Sequence, residues 1–354
     1  MKYQASNDFW GRRIRQVYEK MIPLQLSILK DEAPDTAPSH AIENFRIAAG
    51  LSQGEYYGMV FQDSDVGKWI EASSYKLMAE KDEALEKEID AIVEIMGKAQ
   101  QPDGYLNTYY TLKEPGKRWT NVCECHELYC FGHLTEGAVA YHQATGKTAF
   151  LDIMCRMADH IADVFGPEPG KIHGYPGHPE AELALYRLYR ETGERKYLDL
   201  GFYFINERGR KPNFFDEERE KRGGGYFWKE RPRDLDLTYY QAHLPVREQR
   251  EATGHAVRAL YLYTAMACMA KEMNDPELAG ACVELWNDAV NRKMYITGGL
   301  GATEIGEAFM GDYELPNDTA YAETCASVAL CFFGKAMWGL LPDGIIDDAV
   351  EKEL

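Results

Sequence analysis

The residues with the greatest chemical reach lie between Gly298 and Asn317. This stretch holds five glycines, three glutamates and one aspartate, and it runs into Asp318-Thr-Ala-Tyr-Ala-Glu-Thr-Cys325 at the start of an apolar helix. Glycine lets backbone approach a ligand closely, and a carboxylate can donate or accept a proton, so acid–base chemistry would sit here. A surface loop with Asp318 capping the next helix explains the same residues without a site. Glu323 and Cys325 are both legitimate zinc donors. Two positions along a regular helix turn them about 200° apart, so both reach one ion only if the helix start is distorted or the ion lies at its end; a core cysteine is the alternative. His126, His178 and His255 sit in polar, Gly- or Pro-marked contexts, and each can either hydrogen-bond a substrate hydroxyl or be a satisfied structural ring. His126-Glu127 fails as the H-E-x-x-H zinc pattern because position 130 is Cys. Cys123 and Cys125 form a C-x-C with no second pair. Trp69, Tyr175, Trp228 and Tyr313 are candidates to stack on sugar faces, although most aromatics here must be core. There is no P-loop, and Gly298-Gly-Leu-Gly301 lacks the third glycine of a dinucleotide fingerprint.

The elements that would position these residues are helical. Residues 10–32 carry Trp10, Ile14, Val17, Tyr18, Met21 and Ile22 at three- and four-residue spacing, which predicts an amphipathic helix. Similar patterns predict helices near 39–49, 64–78, 82–100, 127–145, 147–165, 178–192, 195–208, 250–274, 276–293, 320–340 and 343–354. Strand-like runs are short, at Tyr105–Tyr110 and Met294–Thr297. The irregular stretch from Gly209 to Leu244 is too long for a plain connector and suggests an active-site or contact loop. Two phrases, Ala144-Thr-Gly-Lys-Thr-Ala-Phe-Leu151 and Glu191-Thr-Gly-Glu-Arg-Lys-Tyr-Leu198, each close one helix with Gly and open the next. A dozen helices in such hairpins predict an all-α fold, an (α/α)6 barrel or toroid, with the chemistry in loops at one mouth.

Composition narrows the partners. With 39 basic and 57 acidic side chains among 354 residues, the net charge is −18, which argues against nucleic acid and anionic membrane surfaces. No stretch reaches about 18 uninterrupted apolar residues, so no membrane span is expected. The N-terminal residues lack the apolar run of a signal peptide, which places the eight cysteines in a reducing cytoplasm as thiols or metal ligands.

Six phrases in one order carry a family resemblance: Phe61-Gln-Asp-Ser-Asp-Val-Gly-Lys-Trp-Ile-Glu71, Gln101-Pro-Asp-Gly-Tyr-Leu106, His126-Glu-Leu-Tyr129, Gly177-His-Pro-Glu180, Gly254-His-Ala-Val-Arg258, and a last block running from Gly306-Glu-Ala-Phe309 to Tyr321-Ala-Glu-Thr-Cys-Ala326. Over essentially the whole chain they resemble the β-L-arabinofuranosidase family of retaining glycoside hydrolases. The resemblance implies an (α/α)6 barrel, an essential zinc, and a cysteine thiolate as nucleophile in place of a second carboxylate. It makes Glu307 the general acid/base and Glu323 and Cys325 two zinc ligands. It assigns the furanose hydroxyls to His126, His178, His255 and Gln25, with Glu351 as a further carboxylate near the sugar.

The sequence departs from that family in one respect. The family takes its other two zinc ligands, one of them the nucleophile, from an adjacent Cys-Cys pair downstream, and this sequence contains none; its β-sandwich portion is absent too. The expectation is therefore a single barrel domain over 1–354, incomplete at its C-terminus, with a half-built zinc site and little activity of its own. The expected partner is a small oligosaccharide or glycoside, with a homodimer as an option. A sugar- or partner-binding toroid without turnover, and a metal-independent epimerase or lyase using the three histidines, are the competing readings.

Overall fold

The computed structural model describes residues 8–228 and 237–354. Two compact units emerge: one comprises Met1–Thr120, Cys125–Val164 and Arg190–Gly193, the other Asn121–Glu124, Phe165–Tyr189 and Glu194–Leu354. The described residues are helical with isolated β-bridges only. In chain order the α-helices are α1 (Asp8–Gln16), α2 (Ile22–Leu29), α3 (Ala41–Ala48), α4 (Asp63–Ala79), α5 (Glu83–Ala99), α6 (Thr108–Leu112), α7 (Glu127–Thr145), α8 (Ala149–Val164), α9 (Ala181–Thr192), α10 (Arg195–Glu207), α11 (Phe214–Lys221), α12 (Ala256–Met273), α13 (Pro276–Arg292), α14 (Thr324–Leu340) and α15 (Gly344–Glu353).

Local chemistry accounts for most of these bounds. Asp82 accepts the Leu85 N–H to open α5, and Asp275 accepts the Leu278 N–H to open α13, with Pro276 in the first turn where its missing donor costs nothing. Gly146 closes α7 at φ 75°, a left-handed conformation that costs a side-chain-bearing residue energy. On α5 the apolar stripe Leu85, Ile89, Ile92, Val93 and Met96 is buried, at helical spacing.

In the first unit α4 and α7 pack backbone to backbone. A Cβ on Gly67 would lie 2.6 Å from the His133 carbonyl oxygen, and one on Gly137 would lie 2.7 Å from the Gly67 carbonyl oxygen. In the second unit α12 and α14 pack through side chains instead, with Tyr263 against Phe333 at 5.7 Å between ring centroids.

Several sequence expectations need correction. The helix expected over 10–32 is interrupted by a π turn at Val17–Met21, which ends two residues before Pro23, whose ring and missing N–H prevent regular helical bonding through that point. The strand-like run Tyr105–Tyr110 ends in α6, because Asn107 accepts the Tyr110 N–H and nucleates a helix against β propensity. Met294–Thr297 is a turn closed by the Gly298 N–H on the Tyr295 carbonyl, with Ile296 exposed. Part of the long irregular stretch is α11, capped by Asn213; positions 229–236 of it lie outside the described residues. Trp69 and Tyr175 are buried core rather than sugar platforms, Trp69 donating its indole N–H to the Ile22 carbonyl at 3.0 Å.

Candidate active site

The site grows from the start of α12. Its N-cap is His255, whose backbone is extended and whose Nδ1 accepts the N–H groups of Val257 and Arg258 at 3.2 and 3.4 Å. An Nδ1 that accepts carries no proton, so the neutral ring holds its hydrogen on Nε2. That Nε2 stands 2.8 Å from Oε2 of Glu307 and donates to it. The residues between Thr303 and Ala308 form a tight loop held by reciprocal backbone hydrogen bonds, and His255 and Ala308 share a bridge. The Phe309 N–H donates to the Gly254 carbonyl at 2.9 Å, so the loop's position is tied to the residue before His255. Within it Gly306 and Glu307 are both left-handed, at φ 71° and 52°. A glutamate held there is strained, a feature that clusters at functional sites.

The second oxygen of Glu307 is also engaged. Tyr321 donates its hydroxyl to Oε1 at 3.2 Å, and Tyr321 is held by its own N–H on the Gly301 carbonyl. The hydrogen bond from His255 holds the Glu307 carboxyl below its ordinary range; partial burial opposes this, and Tyr321 and the Arg258 charge assist it. Burial in turn pushes the His255 imidazole down, with its bond to Glu307 opposing. The pair is thus a neutral imidazole donating to a carboxylate, the state of a general base.

His178 lies 5.7 Å from His255, centroid to centroid and nearly edge-on. Its Nδ1 is 3.0 Å from the Pro179 carbonyl, which can only accept, so this ring carries hydrogen on Nδ1. The two histidines therefore hold opposite tautomers. Gly177 fits beside Cys123 because it has no side chain: a Cβ there would overlap the Cys123 carbonyl. The Gln241 amide, fully buried, donates to the Thr253 carbonyl at 2.8 Å and to the Tyr239 carbonyl at 3.2 Å, securing the chain ahead of His255.

Glu323 is the N-cap of α14 with extended backbone, and Cys325 is exposed in the first turn. The 200° separation of a regular helix therefore does not apply, since Glu323 lies outside it. Among the described residues no group of three or more His, Cys, Asp or Glu side chains is placed to hold a metal ion. Glu351 is exposed on α15, and no hydrogen bond or ion pair among the described residues joins it to Glu307. His126 and Gln25 belong to the other unit. His126 caps α7 in a left-handed conformation, its ring against Phe61 and Tyr129, and Gln25 is exposed on α2. Sequence reasoning missed three contributors: Tyr321, Arg258 and Gln241. The first lies two residues before Glu323 and the second three after His255, which was the available signal; nothing local marks Gln241.

Residues 4–354 match the family described as β-L-arabinofuranosidase, GH127 catalytic domain. A non-reducing end β-L-arabinofuranosidase of Bifidobacterium longum subsp. longum is 43% identical over the whole of this chain and 56% of its own length. The crystal structure of a GH127 β-L-arabinofuranosidase from Geobacillus stearothermophilus T6 superposes with a TM-score of 0.97 at 56% identity, covering all of this chain and 55% of that one. A further GH127 β-arabinofuranosidase gives a TM-score of 0.86 at 40% identity, covering 99% of this chain and 52% of the other. The likeness establishes the fold class, the all-α catalytic-domain fold that the helical hairpins led us to expect as an (α/α)6 toroid. The chain spans about half the length of these relatives.

Proposed function

We propose, from the premise that this chain belongs to the GH127 β-L-arabinofuranosidase catalytic-domain family, that it supplies Glu307 as the general acid/base for hydrolysis of β-linked L-arabinofuranosides, with little turnover by these residues alone. The observation that carries the reading is Glu307 itself, strained, half-exposed, and gripped on both oxygens by His255 and Tyr321. As a carboxylate it is ready to deprotonate water. To protonate a leaving glycosidic oxygen it must first gain a proton, which follows when a sugar hydroxyl displaces one of the two donors that hold it down. A retaining glycosidase uses such a group first as acid and then as base around a covalent glycosyl-enzyme step; by resemblance the nucleophile of that step is a cysteine of an adjacent Cys-Cys pair that this sequence does not contain. His178, with its proton on Nδ1, offers an unprotonated Nε2 to a sugar hydroxyl, whereas the Nε2–H of His255 reaches the sugar only by leaving Glu307; the resemblance assigns His126, Gln25 and Glu351 to the sugar as well.

Zinc tests the same residues. A carboxylate and a thiol at a helix start suit the ion chemically, and a bound zinc would keep a coordinating thiol ionised. The donor type fits; the donor count does not, since Glu323 and Cys325 make two of the usual four and the described residues add no third. Elemental analysis is therefore expected to find well under one zinc per chain. One tightly held zinc per chain would overturn this.

The sugar reading is tested by titrating the 354-residue chain with methyl β-L-arabinofuranoside while following histidine ring resonances. The His178 and His255 signals are expected to move with the furanoside and not with methyl β-L-arabinopyranoside. Unmoved signals at millimolar furanoside would defeat the reading.

A further inference from the structure

Two buried arginines grip the turn that carries His178, and they differ in one respect. Arg208, at the end of α10, is fully buried and donates to the Pro176 carbonyl at 2.6 Å and the Tyr240 carbonyl at 2.8 Å. Its charge is matched by Glu182, also fully buried, at 3.1 Å. Arg258, in the first turn of α12, is 5% exposed and donates to the next carbonyl along, that of Gly177, at 2.8 Å. It lies over the rings of Tyr239 and Tyr240, at 4.9 and 5.4 Å from their centroids. No carboxylate pairs with it among the described residues, while its Nε, like that of Arg208, finds no hydrogen-bond partner there.

A buried guanidinium without a counter-ion is costly, and a purely structural role is filled better by a paired one such as Arg208. Arg258 also touches both histidine-bearing segments: its backbone N–H donates to Nδ1 of His255, and its side chain holds the carbonyl immediately before His178. We infer that Arg258 is a positioning residue of the sugar site. Its side-chain bond to the Gly177 carbonyl fixes the turn on which the Pro179 carbonyl sets the His178 tautomer; the opposite tautomer of His255 is set by the backbone N–H groups of residues 257 and 258, whatever side chains they carry. The rings of Tyr239 and Tyr240 supply the partial compensation that a guanidinium can draw from aromatic faces without neutralising it.

This inference rests on the sugar reading for its purpose, and its test separates the two. Long-range 1H–15N spectra of the histidine-labelled chain should show His178 protonated on Nδ1 and His255 on Nε2. In Arg258→Met the His178 pattern is expected to change toward a mixed tautomer while circular dichroism shows the helices intact. Both rings unchanged in a folded Arg258→Met would overturn the inference. Should that variant not fold, the unmodified chain decides: the Nη signals of Arg258 are expected to be split by restricted rotation, and averaged signals would count against the clamp. Arg258→Lys keeps the charge but not the fork, and it should bind methyl β-L-arabinofuranoside roughly 10–100-fold more weakly. If the unmodified chain binds no furanoside, the sugar reading fails, while the ring spectra still decide Arg258.

Discussion

The helix pair α4–α7 and the surroundings of α12 solve interior packing by opposite means. At α4–α7 the contact depends on what is missing: Gly67 and Gly137 let two backbones meet where any Cβ would collide. Around α12 the interior is stapled by buried charge. Arg208 pairs with Glu182; the buried Lys293 meets the buried Asp288 at 3.3 Å and reaches the exposed Glu251 at 2.8 Å; the Glu218 carboxyl accepts the N–H groups of Val122 and Cys123. The first device aligns helices and presents no chemistry. The second holds irregular backbone, which lacks partners of its own, and the His178 turn and the chain ahead of His255 are held by such bonds.

Breaking each device should show the difference in scale. Arg208→Met leaves Glu182 charged and buried, and we expect a loss of about 3–5 kcal/mol in urea unfolding, with the second unit affected first. Gly67→Val should cost about 3 kcal/mol by forcing α4 and α7 apart. Gly280→Ala, on an exposed part of α13 with nothing within 4 Å of the new Cβ, should instead stabilise by roughly 0.5–1 kcal/mol, so the pair separates glycine as spacer from glycine as weak helix former.

A third effect sharpens the role of buried charge. Burial raises the Glu218 carboxyl from 4.5 to about 7, its backbone donors opposing. Between those values the folded protein retains a proton that the unfolded chain has released. Stability should therefore fall as pH rises across that window, by on the order of 3 kcal/mol, and level off above it. Asp63, raised by burial to about 6, adds a similar slope that ends at lower pH. Urea midpoints from pH 4.5 to 8 should show Glu218→Gln flattening the slope above about pH 6 and roughly halving it below, where Asp63 still contributes.

The helices were legible in the sequence where local signals agree: the caps at Asp82 and Asp275, the Thr-Gly turns, the apolar stripe of α5. They were illegible where a cap overrides propensity, as at Asn107 before Thr108-Tyr-Tyr-Thr111. The carboxylate-bearing glycine loop stands out by composition, but only the family resemblance singles out Glu307 among its three glutamates. Its partners do not stand out, because the His255–Glu307 contact is made by a long-range bridge between His255 and Ala308. An arginine three residues into a helix reads as a surface charge; only tertiary packing shows Arg258 buried between a carbonyl and two tyrosine rings.

The account centres on Glu307 as the proton donor and acceptor, and leaving-group dependence tests that most directly. Hydrolysis of methyl and of nitrophenyl β-L-arabinofuranoside is to be compared between the parent chain and Glu307→Gln, however slow the parent is. The account predicts a loss of about 10²–10⁴-fold on the methyl glycoside, whose leaving group needs a proton, and a much smaller loss on the nitrophenyl glycoside, whose leaving group does not. Equal losses on both substrates, or near-parental turnover of the methyl glycoside, would contradict it.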